Sequence, residues 1–291
     1  MKETLALSRR DGARSCCGCH PQLYLLDLTD GCQRQSVRED CFLIVVHPSS
    51  GGMEPWGWKP YDFTEACLSF HLPHRHPREL RSAGMAVMFH PDLFAFTSLA
   101  LRFSDFTFFH YRETESLHLS SQELRVVEQV LEDMRSELQW GVDTFTKPML
   151  CNKLESLLLY CQRFYQRQFT TRRDGCSCLC DKVIAETDRL LLSGGVKTDA
   201  LYDAAPLAER LDISTAYLDD LVKFLTGKNL AAYTQLRKIE LAKQMLSAGR
   251  MTDLQIARAL GYASEKHFRC LFQRLTDTST DDHLSLIHIS E

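Results

Sequence analysis

The sequence predicts an α+β protein: a β-rich first half closed by a helical hairpin, then an all-α region built from two helix-turn-helix units. Three observations carry this expectation. Short apolar runs bounded by turn residues fill residues 21–111. From Ser120 onward the apolar spacing changes to that of helices. In the last part of the chain a pattern of short helix, turn and longer helix occurs twice.

The expected strands are Pro21–Leu28, Cys41–Val46, Ala86–Phe89 and Phe106–Tyr111, with turn signals such as Ser49-Ser50-Gly51-Gly52 between them. Short strands at this spacing suit a barrel or a sandwich. Ser120, three residues before Glu123, reads as a capping box that opens a helix. Leu124, Val127, Val130, Leu131, Met134 and Leu138 follow on one stripe of it. After Pro148 a second stripe carries Leu150, Leu154, Leu157, Leu158, Cys161 and Phe164. The two helices form a hairpin whose apolar faces pack on the strands, on a second subunit, or on both. The turn-rich, cysteine-dotted stretch that follows is expected to be a linker over residues 171–182, between a first domain, 1–170, and a second, 183–283.

In the first helical unit, Pro206–Leu211 places Leu207, Ala208 and Leu211 inward, and Asp212-Ile213 makes the turn. Ser214 caps the next helix, which turns Leu218, Leu221, Val222 and Leu225 inward and stops at Gly227. A helix over Leu230–Leu246 follows, roughly 25 Å long. The second unit opens on a capping box at Thr252–Gln255, turns at Gly261-Tyr262 and resumes at Ser264, with His267, Phe268, Leu271 and Phe272 on one side.

Composition narrows the function. Hydrophobic residues make up 44% and charged residues 25% of the 291-residue chain, enough for a core without disulfide staples. The longest apolar run, Cys41–Val46, is far short of a membrane span, and the N-terminus shows no export pattern, so a cytoplasmic protein is expected. Its twelve cysteines are then expected to be thiols. The net charge of −4 does not advertise nucleic acid. Residues 200–277, however, hold 11 Lys/Arg against 9 Asp/Glu, a net of +2. Any contact with DNA must therefore come from local placement.

Ala208–Leu211, Ser214–Leu218 and Thr226-Gly227 resemble the Ala-x-x-Leu, Ser-x-x-Tyr-Leu and Thr-Gly elements of the AraC/XylS regulators. Arg237–Lys243, Ile256–Tyr262 and His267–Phe272 resemble that family's Arg-x-x-x-Ala-Lys helix, Ile-Ala-x-x-Leu-Gly-[Phe/Tyr] turn and closing aromatic helix, in order. Upstream, His20-Pro21, Tyr61–Phe63, Phe89–Leu93, Phe108–Tyr111, Glu115–Ser120 and Arg163–Phe169 are similar to a Bacteroidetes-type branch. The resemblance implies a cupin-like sensory and dimerisation region followed by a double helix-turn-helix domain that reads promoter DNA in successive major grooves. It implies base contacts from Ala216, Asp219 and Asp220 in the first reader, and from Glu265, Lys266, Arg269 and Cys270 in the second. Ser214, Lys223, Lys228 and Arg237 would hold phosphates. The partners implied are double-stranded DNA, a second copy of the chain, RNA polymerase for an activator, and a small-molecule effector; no cofactor and no membrane are implied.

Two departures stand out. Asp219-Asp220 places acids in a reader, and Cys270 stands where the family favours Arg. Rival functions come from two clusters. His71, His74, His76 and His90 would serve a cupin-like metalloenzyme, but they lack the His-x-His and later Glu arrangement, so no metal is expected. Cys16, Cys17, Cys19 and His20, with Cys176, Cys178 and Cys180, would serve a redox- or zinc-sensing regulator, but their spacing is not that of a zinc site. Trp56, Trp58, Tyr61 and Phe63 are candidates to line an effector pocket. No nucleophile–base set and no phosphate loop appears, so the chain is not expected to be an enzyme. The peptide Leu284–Glu291 reads as the translation of a sequencing adapter, and residues 284–291 are expected to be non-native.

Overall fold

The computed structural model describes residues 20–28, 37–49, 54–76, 84–175, 178–192 and 204–282. The chain divides into two compact units, 1–172 and 173–291. The cysteine clusters at residues 16–19 and 176–180 and the peptide 284–291 lie outside the residues whose side chains are described.

The first unit holds a five-stranded antiparallel sheet: β1 (Leu23–Asp27), β2 (Phe42–Pro48), β3 (Ala66–His71), β4 (Met85–Phe89) and β5 (Leu117–Leu119), in the order β1-β4-β2-β3-β5. Both faces are covered. Leu25, Ile44, Phe70, Val87 and Leu117 enter one apolar cluster, while Leu26, Leu43, Val45 and Met88 enter another. Strands buried on two sides read as continuous apolar runs, which is why β1, β2 and β4 are visible in the sequence. The expected strand at Phe106–Tyr111 is instead a pair of 3-10 turns, Phe103–Asp105 and Thr107–His110. Phe108 and Phe109 are both buried in one cluster, and a strand would send neighbours to opposite faces.

Helix α1 (Ser98–Arg102) precedes the hairpin of α2 (Ser121–Gln139) and α3 (Thr146–Gly175). The capping box at α2 forms as expected: Glu123 N–H donates to Ser120 Oγ at 3.3 Å, and Ser120 N–H to Glu123 Oε2 at 2.9 Å. Val127, Leu131, Met134 and Leu138 of α2 and Leu150, Leu154, Leu157 and Leu158 of α3 pack into the cluster under the sheet. Gln168 of α3, wholly buried, accepts from His118 N–H at 2.8 Å and donates to Ser116 C=O at 3.1 Å. The side chain thus covers the edge of β5 as a further strand would.

The other face of the sheet carries buried histidines. Ser69 Oγ lies 2.8 Å from both His47 Nε2 and His71 Nε2. Burial, together with the neighbouring His76 and His47 rings, pushes His71 down to about 3; burial also holds His118 at about 4. In the unfolded chain each titrates near 6.5. Below that value the unfolded state takes up protons that the folded state refuses, so stability falls as pH drops from about 6.5 toward 4. Each such histidine contributes about 1.4 kcal/mol per pH unit in that window. The urea midpoint of the first unit is expected to be clearly lower at pH 5 than at pH 7, with His71→Gln narrowing the gap. Equal midpoints at the two pH values would show that these rings accept protons while folded.

The second unit is all helix: α4 (Cys178–Leu192), α5 (Ala205–Leu211), α6 (Thr215–Thr226), α7 (Leu230–Ser247), α8 (Asp253–Ala259) and α9 (Glu265–Thr276). Much of the stretch expected to be a linker is therefore helical, as the end of α3 and the start of α4. Leu191 of α4 joins Ile239, Leu241 and Leu246 of α7 and Phe268 and Phe272 of α9 in one cluster. Two ion pairs add to this packing: Arg237 of α7 with Asp188 of α4 (Nε–Oδ1 2.9 Å), and Arg210 of α5 with Glu186 of α4 (3.2 Å).

Candidate nucleic-acid interface

Each helix-turn-helix unit is built by local rules. In the first, Leu207 and Ala208 of α5 and Tyr217, Leu218, Leu221 and Val222 of α6 are buried, while Leu225 is half-buried. Asp212 makes the turn at φ +54°, a left-handed conformation that Asp tolerates better than most side chains. Ser214 Oγ then accepts from Tyr217 N–H at 3.1 Å and starts α6, the second helix of the unit. The second unit repeats the plan. Thr252 and Gln255 form the reciprocal capping box, Gly261 turns at φ +71°, and Ser264 Oγ accepts from His267 N–H at 3.1 Å to start α9. Helix α7, about 27 Å long, spans the distance between the units.

On α6, Lys223 is exposed, as is Lys228 just beyond the helix; Ala216, Asp219 and Asp220 are half-buried. The Asp219 carboxylate is engaged within the domain: its Oδ1 accepts from Leu230 N–H at 2.8 Å, at the first turn of α7. Asn229 caps the same turn by accepting from Ala232 N–H at 2.9 Å. Two otherwise orphaned donors of α7 are thereby satisfied, and α6 is tied to the helix that follows it. On α9, Lys266 and Cys270 are exposed. Arg269 pairs with Asp253 at 2.7 Å and with Glu265 at 3.1 Å, so its charge and that of Glu265 are largely spent inside the unit.

Three placements differ from the reading of the sequence. His267 is exposed beside Lys266 and Cys270, not turned inward with Phe268 and Phe272. The i, i+4 pair Phe268/Phe272 already fixes the inner stripe, and His267 lies about 100° away from it. Arg237, expected on a phosphate, forms the two-pronged pair with Asp188. Four residues before Ala242 stands Lys238, so Lys238, and not Arg237, sits at the Arg-x-x-x-Ala spacing. It is 1% exposed, burial lowers its pKa, and its ammonium lies 5.3 Å over the Tyr262 ring. The Tyr262 hydroxyl, buried beside it, has no hydrogen-bond partner among the described residues, and burial pushes it up to about 12.

The four histidines considered for metal are otherwise engaged. His71 bonds Ser69, His76 Nε2 lies 2.8 Å from Cys41 O, His90 Nδ1 accepts from Asp92 N–H, and His74 is exposed. No group of three His, Cys, Asp or Glu side chains among the described residues could hold a metal ion. Of the aromatic residues considered for an effector pocket, Trp56 is buried and stacks on His47 at 3.8 Å. No helix among the described residues is long and apolar enough to cross a membrane.

Residues 207–282 match the family described as a helix-turn-helix domain. No curated protein matches the chain. Among solved structures, an AraC-type regulator from Chromobacterium violaceum is similar at 18% identity, covering 37% of this chain and 94% of its own, with a TM-score of 0.31. The C-terminal domain of the response regulator yesN from Fusobacterium nucleatum gives 20% identity, coverage of 36% and 97%, and a TM-score of 0.30. ToxT from Vibrio cholerae O395 gives 11% identity, coverage of 91% and 93%, and a TM-score of 0.33. At these identities and scores the assignment rests on the match over 207–282 and on the motifs within it. Residues 207–282 are a helix-turn-helix domain, and the AraC-type motifs of the sequence lie within it.

Proposed function

We propose that the chain is a cytoplasmic, effector-responsive regulator that reads two successive major grooves of promoter DNA with α6 and α9. The observation that supports this reading is the repeated construction of the two readers: each starts at a serine cap, buries one stripe, and leaves a polar stripe outward. Base edges are met by Ala216 and Asp220 on the first reader, and by Lys266, His267 and Cys270 on the second. Lys223 and Lys228 set position on phosphates, and Asp219, Glu265 and Arg269 hold the readers in place. The β-rich unit is the described part of a cupin-like sensory and dimerisation domain. Met149 and Tyr160, left exposed on the hairpin, support pairing with a second copy. Four readers in a dimer raise the avidity that two acids in α6 reduce. RNA polymerase is a further partner if the protein activates.

Selection from random duplex DNA with residues 1–283, at two salt concentrations, tests the reading. The expected motif has two short blocks about one helical turn (~10 bp) apart. Affinity is expected to fall steeply with salt, and Lys223→Ala to lower the log–log salt slope by about 1. Enrichment of no motif at either salt concentration would count against reading by the two helices.

A further inference from the structure

The helices α6 and α9 can be laid over one another by their caps. Counted from Ser214 and Ser264, Ala216 corresponds to Lys266, Asp219 to Arg269, Asp220 to Cys270 and Lys223 to Gln273. The plan is shared and the chemistry is reversed. On the side away from the buried Phe268 and Phe272, α9 presents Lys266, His267, Cys270, Gln273 and Arg274, all exposed and none acidic. On the side away from Leu218 and Val222, α6 presents Ala216, Asp219, Asp220 and Lys223. The preceding helices differ in the same sense. Arg258 is exposed on α8, the helix of the unit that crosses the DNA backbone, whereas Arg210, the one cation of α5, pairs with Glu186. Neither Arg258 nor Lys266 has an ion-pair partner among the described residues. Residues 205–229 hold three Lys/Arg against four Asp/Glu, a net of −1; residues 250–279 hold five against three, a net of +2.

We propose that the two readers divide the work. The second anchors the protein: Lys266 meets the O6 and N7 acceptors of a guanine, and Arg258 takes a phosphate beside it. The first discriminates: the Asp220 carboxylate accepts from the N4 amino group of a cytosine and repels the acceptor edges of guanine and thymine. The proposal rests on the two-groove reading above and gives each block of the operator a base and a role. It follows from what each major-groove edge offers. An ammonium has donors only, and guanine presents two acceptors and no donor in that groove. A carboxylate has acceptors only, and cytosine presents a donor there. The energies are unequal because phosphates near α6 face a net negative stripe, whereas those near α8 and α9 face a positive one. A base that suits Asp220 therefore avoids a penalty, which sets choice without adding much affinity. Each copy of the protein thereby acquires a direction on DNA, with the guanine block under α9 and the cytosine block under α6.

The test is selection from random duplex DNA with the full chain and its variants, followed by anisotropy titration of each on the wild-type motif. Lys266→Ala is expected to lose guanine in one block and to bind about 10- to 100-fold more weakly. Arg258→Ala is expected to keep the motif, to weaken binding to every sequence alike and to lower the log–log salt slope by about 1. Asp220→Asn is expected to lose cytosine in the other block, to change affinity for the motif by less than about threefold and to bind unselected DNA more tightly. Asp220→Glu, which keeps the acceptor, is expected to keep the cytosine. A two-block motif whose guanine is indifferent to Lys266→Ala would overturn the proposal and leave the two-groove reading standing. So would a larger loss of affinity in Asp220→Asn than in Lys266→Ala. A motif of one block that answers to Lys266→Ala would sink the two-groove reading and keep the anchor; no motif at all would sink both.

Discussion

Arg172→Met is expected to destabilise the first unit by about 3–5 kcal/mol, since it strands a buried charge. Asp62 has a fully buried carboxylate, and Arg172 is 10% exposed. The guanidinium meets it with two bonds, Nε to Oδ1 at 3.1 Å and Nη2 to Oδ2 at 2.8 Å, and also reaches Gly57 C=O at 3.3 Å. Without it the carboxylate keeps the Lys59 N–H at 2.9 Å and no counter-ion from α3. The loop that holds Asp62 has little freedom to follow. A Cβ on Gly57 would sit 1.7 Å from Thr114 O, and φ there is +73°. Urea unfolding reads the loss directly. The double variant Asp62→Asn/Arg172→Met should recover a large part of it, because the uncompensated charge is gone. A loss below about 1 kcal/mol in the single variant would mean that water reaches the carboxylate and shares its charge.

Phe272→Ala should cost the second unit about 3–5 kcal/mol and remove DNA binding with it. The ring has no solvent exposure and meets Phe268 edge-on at 5.8 Å, while Phe268 in turn packs on Tyr262 at 5.3 Å. These three rings join α9 to the turn before it, and the penalty is a large share of the roughly 5–15 kcal/mol that keeps a typical domain folded. The expected result is loss of the second unit's cooperative thermal transition and of binding to the selected duplex, with the first unit's transition unchanged. Leu275→Ala, at a position 41% exposed on the same helix, should cost under about 1 kcal/mol and serves as control. Wild-type-like DNA affinity in Phe272→Ala would show that α9 is not held by its aromatic stripe.

What is legible in the sequence is what is local. The capping boxes Ser120/Glu123 and Thr252/Gln255, the serine caps at 214 and 264 and the leucine stripes of the hairpin depend on residues three or four apart, and they form as expected. Strand β3 is legible in principle, since Leu68 and Phe70 alternate with Ser69 and His71, but its polar members hide it. Strand β5 has three residues and no period to find. The aromatic run at 106–111 suggests a strand because β-propensity says nothing about which side a ring takes. In the second unit the reader helices are visible, whereas the employment of their side chains is not. Arg237 pairs across 49 residues and Asp219 bonds a donor 11 residues on, and neither spacing leaves a mark in a single sequence. Lys238 is recoverable by strict counting from Ala242.

The bond from Asp219 to the start of α7 bears on attempts to redirect this protein to new promoters. A library that randomises the first reader would ordinarily include position 219, and every change there would also release the helix on which the second reader depends. Variants would then lose operator affinity for reasons unrelated to base choice, and the selection would be dominated by survivors that kept the aspartate. Holding Asp219 fixed while varying Ala216, Asp220 and Lys223 separates the alphabet of the reader from the hinge on which it is mounted.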